Sequence, residues 1–161
     1  MKEPWGMNRR RFLQMAAAQA ALLPLAALLP PQVLAEEEGL RQSLDLMEAL
    51  GDMLDFSRPR DNATVRYRNN QLATNLYRSR TATWYWPNGR VLSNMAGSAN
   101  ATWYWPNGRV MTNLVGSPNA TWYWPDGQIM TLRGPGYSEA ELLDVPRVAT
   151  RVLRMAVRNG Y

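Results

Sequence analysis

The chain has 161 residues, enough for one modest domain, with 18 Lys and Arg against 13 Asp and Glu, seven Trp, seven Tyr and neither Cys nor His. No disulfide, iron–sulfur cluster or thiolate metal site can form, and the usual imidazole ligand and general base is missing, so neither a metal nor a cofactor is expected. The pI near 10.0 suggests a polyanion binder, yet from Glu36 onward 14 Arg oppose 12 acidic residues, a charge too dilute to indicate nucleic acid.

The first 35 residues read as an export leader: a basic start, an apolar run from Met15 to about Leu29, and the small-residue ending Val33-Leu34-Ala35, with cleavage expected after Ala35. The run is too short to span a bilayer, which takes about 20 apolar residues, and Pro24, Pro30 and Pro31 interrupt it. Asn8-Arg9-Arg10-Arg11-Phe12-Leu13-Gln14 resembles the twin-arginine export motif, with Arg9 and Arg10 as the paired arginines and Phe12 and Leu13 as the apolar pair. That resemblance implies engagement of the twin-arginine translocase and delivery of an already folded chain to the periplasm or thylakoid lumen. The alternative is a membrane anchor through an uncleaved leader.

Residues 36–60 read as an amphipathic acidic helix and linker. Leu40, Leu44, Met47, Leu50 or Gly51, and Leu54 recur at three- and four-residue steps from Glu37 to about Phe56, opposite Asp45, Glu48, Asp52 and Asp55.

Residues 61–136 hold four units in one 19-residue register, beginning at Ala63, Ala82, Ala101 and Ala120. Repetition at a short fixed period indicates one supersecondary unit stacked on copies of itself. Pro87-Asn88-Gly89, Pro106-Asn107-Gly108 and Pro125-Asp126-Gly127 combine a fixed φ, an Asx residue and a glycine able to take positive φ, which suits a three-residue hairpin loop. Asn70 takes the glycine position in the first unit, where Asn is the next most tolerant residue. Thr-Trp-Tyr-Trp precedes each later loop and a β-branched stretch follows it. The expected fold class is therefore α+β, an antiparallel β-meander or β-solenoid of four hairpin repeats flanked by an N-terminal helix and C-terminal helices. Strict pleating predicts that Trp86 faces Arg90, Trp84 faces Leu92 and Tyr85 faces Val91, with the same pattern one and two repeats on, so that tryptophans and tyrosines occupy opposite faces. The Asn-Ala-Thr sites at Asn62, Asn100 and Asn119 read as turn formers.

In residues 137–161, Ser138 and Glu141 form a capping-box pattern. A last helix is expected from about Pro146 to Asn159-Gly160, with Val145, Val148, Val152 and Met155 on one stripe and Arg147, Arg151, Arg154 and Arg158 on another. That arginine stripe could contact an anionic surface or pair with the acidic N-terminal helix.

Six repeat tryptophans, at 150–250 Å² each, represent roughly 20–40 kcal/mol of gross burial, so most of them must be core. The terminal helices are expected to cover one sheet face, leaving the other as a row of aromatics. The candidate ligand- or partner-binding residues are Trp84, Trp86, Trp103, Trp105, Trp122, Trp124, Tyr85, Tyr104, Tyr123, Arg90 and Arg109. Such a row suits stacking on sugar rings, capture of a quaternary amine or association with a second copy.

The stretch "WYWPNGRVMT" resembles bacterial MORN-variant repeats, with Tyr104, Trp105, Pro106, Asn107 and Gly108 on the matching positions, and more weakly choline- and cell-wall-binding repeats. The first resemblance implies a β-meander interaction scaffold; the second implies aromatic cages between hairpins. The expected class is an exported, non-enzymatic binding or scaffold protein for a partner protein or an envelope glycan. A self-assembling structural homo-oligomer is the alternative. A carboxylate hydrolase using Asp126 with Glu139 or Glu141 would be a third, but no catalytic side chain has motif-like spacing and Asp is favoured in that turn on its own account.

Overall fold

The computed structural model describes the backbone of residues 31–161 and the side chains of 39–161 apart from residue 55. The twin-arginine motif, Arg9 through Leu13, lies outside the described residues. The elements are α1 (Pro31–Phe56), β1 (Val65–Arg66), β2 (Leu72–Thr74), β3 (Trp84–Tyr85), β4 (Val91–Ser93), β5 (Trp103–Tyr104), β6 (Val110–Thr112), β7 (Trp122–Tyr123), β8 (Ile129–Thr131), α2 (Glu139–Leu143) and α3 (Val145–Arg158). The eight strands form one antiparallel sheet in chain order, which makes the repeat a meander. The N-terminal helix and the last helix pack along each other.

Helix α1 starts six residues earlier than the periodicity predicts. Pro31 is tolerated at a helix start, and Gln32 to Glu38 are mostly good helix formers. Ala35 therefore sits within α1. Leu40, Met47 and Leu50 are buried as expected. Ser138 and Glu141 make the capping box, and the bonds from Ser138, the backbone N–H first, hold the Glu141 carboxyl below its usual range. On α3 the buried stripe is Val145, Val148, Ala149, Val152, Leu153 and Ala156. Met155 is exposed instead, because the buried stripe runs through Val148, Ala149, Val152, Leu153 and Ala156 and leaves the position beside it outside.

The glycine-closed turns form as predicted: Gly89, Gly108 and Gly127 have φ of 86°, 87° and 89°, and Asn70 matches them at 68°. Each turn is closed by paired main-chain bonds, as in Trp105 N–H to Arg109 O and Gly108 N–H to Trp105 O. Tyr85 pairs with Val91, but Trp84 pairs with Ser93, not with Leu92. The same step recurs at Trp103 with Thr112 and Trp122 with Thr131. A β-bulge inserts one extra residue, so two consecutive side chains turn to the same side. Leu92 and Ser93 are both fully buried in consequence. The buried hydroxyls of Thr74 and Thr112 donate to the carbonyls of Thr83 and Thr121 on the neighbouring hairpin.

Successive hairpins are joined by side chains that reach 17 or 18 residues ahead. Trp86 Nε1 donates to Tyr104 O at 2.8 Å and Trp105 Nε1 to Tyr123 O at 2.8 Å. In the first unit the Tyr67 hydroxyl makes the equivalent bond to Tyr85 O at 2.7 Å and also meets the sulfur of Met47 on α1. Burial pushes the Tyr67 hydroxyl far above the usual tyrosine range. Asn69, Asn88 and Asn107 each accept from the backbone N–H two residues on and donate to the proline carbonyl of the next turn. The connections between hairpins also stack closely: a Cβ on Gly116 would come within 2.6 Å of the Ala99 Cβ.

Candidate functional site

The two faces of the sheet differ sharply in what they leave accessible. Trp84, Trp86, Trp103, Trp105 and Trp122 are at most 1% exposed and belong to one buried cluster with α1 and α3. Trp84 meets Tyr77 edge-on and Trp122 meets Tyr137 edge-on. Trp124, in the last unit, is partly buried, with the C-terminal Tyr161 stacked on it at 5.1 Å and 16°. The indole nitrogens of Trp103 and Trp122 are buried with no acceptor among the described residues, whereas those of Trp86 and Trp105 are bonded to the next hairpin.

The opposite face carries Tyr85, Tyr104 and Tyr123, each half-buried, beside Val91, Val110 and Ile129. Ile129 is 56% exposed. The tyrosines recur on every second strand, about 9.5 Å apart. Arg66 takes the tyrosine position in the first unit and is exposed.

Arg90 and Arg109 lie at the turn end of the sheet, and their role is visible in their partners. Arg90 Nη1 donates to Asn107 O at 2.5 Å and Arg109 Nη1 to Asp126 O at 2.6 Å. Each guanidinium thus bridges to the following turn. Arg147, Arg151, Arg154 and Arg158 are all exposed on α3. Arg154 bonds Glu48 of α1 at 2.7 Å, so one member of the stripe does pair with the acidic helix.

Three features were not singled out in the sequence. Leu76, Met95 and Leu114, one per repeat in the connections between hairpins, are 39%, 50% and 43% exposed. Their regular 19-residue spacing was visible, but the stacking of the connections that turns them outward was not. Tyr161 is the second: Gly160, at φ 85°, reverses the chain so that the Tyr161 N–H bonds Ala156 O and its hydroxyl reaches Asp126 Oδ2 at 3.2 Å. The third is a groove of about 920 Å³ between α1, the first connection and the C-terminal helices.

Among the described residues no cluster of three or more His, Cys, Asp or Glu is placed to hold a metal ion. No described helix is long and apolar enough to cross a membrane.

The chain matches no protein family, no curated protein and no solved structure.

Proposed function

We propose that this is an exported, non-enzymatic binding scaffold whose tyrosine face docks an envelope glycan or a partner protein. The observation that carries this reading is the asymmetry of the sheet: five tryptophans are sealed inside, while Tyr85, Tyr104 and Tyr123 stand half-open with Val91, Val110 and Ile129. Tyrosine offers flat apolar area together with a hydroxyl that hydrogen-bonds, at low entropic cost, which suits both sugar rings and protein surfaces. A row at about 9.5 Å intervals favours a ligand that is itself extended and repetitive. The likeness of "WYWPNGRVMT" to MORN-variant repeats agrees with a scaffold role. The resemblance of the leader to the twin-arginine motif supports a site in the periplasm or thylakoid lumen, reached by the translocase.

Co-sedimentation of the full chain with purified peptidoglycan, and cross-linking in the periplasm, test the reading. Retention of the wild type and about tenfold weaker retention of Tyr85→Ala/Tyr104→Ala, with an unchanged melting temperature, is the expected result. Equal behaviour of both chains in both assays contradicts it.

The exposed Leu76, Met95 and Leu114 row favours a second reading, self-association along the connection edge. Sedimentation velocity separates the two: Met95→Ser/Leu114→Ser abolishes a concentration-dependent oligomer only under this second reading.

A further inference from the structure

The groove between the helices and the first repeat is lined by five guanidinium groups delivered by three separate parts of the chain. Arg58 follows α1, Arg78 lies in the first connection, and Arg147, Arg151 and Arg154 project from α3. Its volume of about 920 Å³ falls at the upper end of the range for small-ligand sites. Three carboxylates share the lining, Glu48, Asp52 and Asp144. Glu48 is engaged by Arg154, and Arg78 leans on Asp61 at 3.9 Å. Among the described side chains neither Arg58 nor Arg147 has a carboxylate in ion-pair range. The two stand on different segments of the chain lining the same groove.

Two properties narrow the ligand. Every cation after Lys2 is an arginine, and a guanidinium fork binds an oxyanion through paired hydrogen bonds where an ammonium acts as a point charge. Arg147 and Arg154, with Arg151 between them, lie seven residue steps apart on the helix, about 10 Å, so the basic wall is longer than one anionic group. A single carboxylate would meet one arginine, too few contacts to offset the repulsion from Asp52 and Asp144 that any anion meets here. A chain of phosphates, each with several acceptor oxygens, can bridge the walls and spread over the row.

We propose that this groove is a binding site for a ligand carrying two or more phosphate groups, either a soluble oligophosphate or the headgroups of an anionic lipid. The site is separate from the tyrosine face and does not depend on it.

Calorimetric titration of the full chain with inorganic tripolyphosphate, and flotation with phosphatidylglycerol vesicles against phosphatidylcholine vesicles, provide the test. Tripolyphosphate heat without vesicle binding identifies a soluble ligand. Phosphatidylglycerol-specific flotation, competed by tripolyphosphate, identifies the lipid source; either result supports the site. Arg58→Gln/Arg147→Gln weakens the interaction at least about tenfold, whereas Arg158→Gln, on the same helix but outside the groove lining, stays within about twofold. Arginine side-chain NMR shifts in the unmutated chain locate the ligand independently of any variant. Absence of both tripolyphosphate and vesicle binding overturns the proposal. Equal weakening by Arg158→Gln does so too, since that is the signature of diffuse charge.

Discussion

The third and fourth repeats begin with the same six residues, Ala-Thr-Trp-Tyr-Trp-Pro, and then diverge into Asn107-Gly108-Arg109 and Asp126-Gly127-Gln128. Their turns have the same geometry, with Asn107 Oδ1 and Asp126 Oδ1 each accepting the backbone N–H two residues on. What differs is the environment ahead. The third unit has a neighbour, to which Asn107 donates through its amide, Trp105 through its indole and Arg109 through its guanidinium. The fourth has none among the described residues, and in place of a fifth hairpin it meets Tyr161, which stacks on Trp124 and bonds Asp126. Where no further hairpin follows among the described residues, Asp126 and Gln128 replace the Asn107 amide and the Arg109 guanidinium, while the indole is kept as Trp124. In a stacked array whose units interact chiefly with their neighbours, terminal units must be altered to end the stack.

The comparison breaks first if the two tryptophans prove equivalent. Trp105→Ala removes a fully buried indole and strands the Tyr123 carbonyl; it is expected to cost about 3–5 kcal/mol in urea denaturation. Trp124→Ala, at a site closed by a single tyrosine ring, should cost about 1–2 kcal/mol less.

Reciprocal exchanges sharpen it. Asn107→Asp keeps the turn bond but has no donor for the Pro125 carbonyl, a loss of about 1–2 kcal/mol. Asp126→Asn leaves Oδ1 in place and exchanges the Oδ2 acceptor of Tyr161 for an amide that can donate to the same hydroxyl, so it stays within about 0.5 kcal/mol of wild type. Chemical denaturation of both variants, with equal losses, would dissolve the distinction between an internal and a terminal repeat.

The first unit provides a pH test. Burial raises the Tyr67 pKa above its model-peptide value of 10.0, so the stabilisation it contributes is fully present below about pH 10 and declines as the pH rises beyond it. Tyr67→Phe, which loses the bond to Tyr85 O, is expected to cost about 1 kcal/mol at pH 7. The gap from wild type should narrow above pH 10 in equilibrium unfolding, because phenylalanine has no proton to lose.

The smallest effect is expected at the arginines. Arg109→Gln gives up an exposed bond to Asp126 O, at most about 1 kcal/mol, while Gln128→Arg gains no partner and leaves thermal unfolding unchanged.

Much of this fold was legible because its rules are local. Pro-Asn-Gly specifies the turn, the 19-residue register specifies the meander, and alternation places Trp86 and Tyr85 on opposite faces. The bulge was not legible: nothing in Val91-Leu92-Ser93 says that Leu92 and Ser93 both turn inward, since a bulge answers to packing against the next hairpin. Nor was the role of Arg90 and Arg109, because a side chain bonded 17 residues ahead looks, in sequence, the same as one free to meet a ligand. The change from Asn107 and Arg109 to Asp126 and Gln128 was a readable signal, but its meaning required knowing that the fourth turn ends the array. The convergence of Arg58, Arg78 and Arg147 depended wholly on how α1 and α3 pack.

Hydroxyl-radical footprinting with peptide-level mass spectrometry tests the central claim, the sorting of indoles and phenols, most directly. Adjacent residues of one peptide are compared, so chain concentration and dose cancel. The account predicts rapid labelling of Tyr104 and near-complete protection of Trp103 and Trp105, although indole is intrinsically reactive. Labelling of Trp103 or Trp105 as fast as Tyr104 would contradict it.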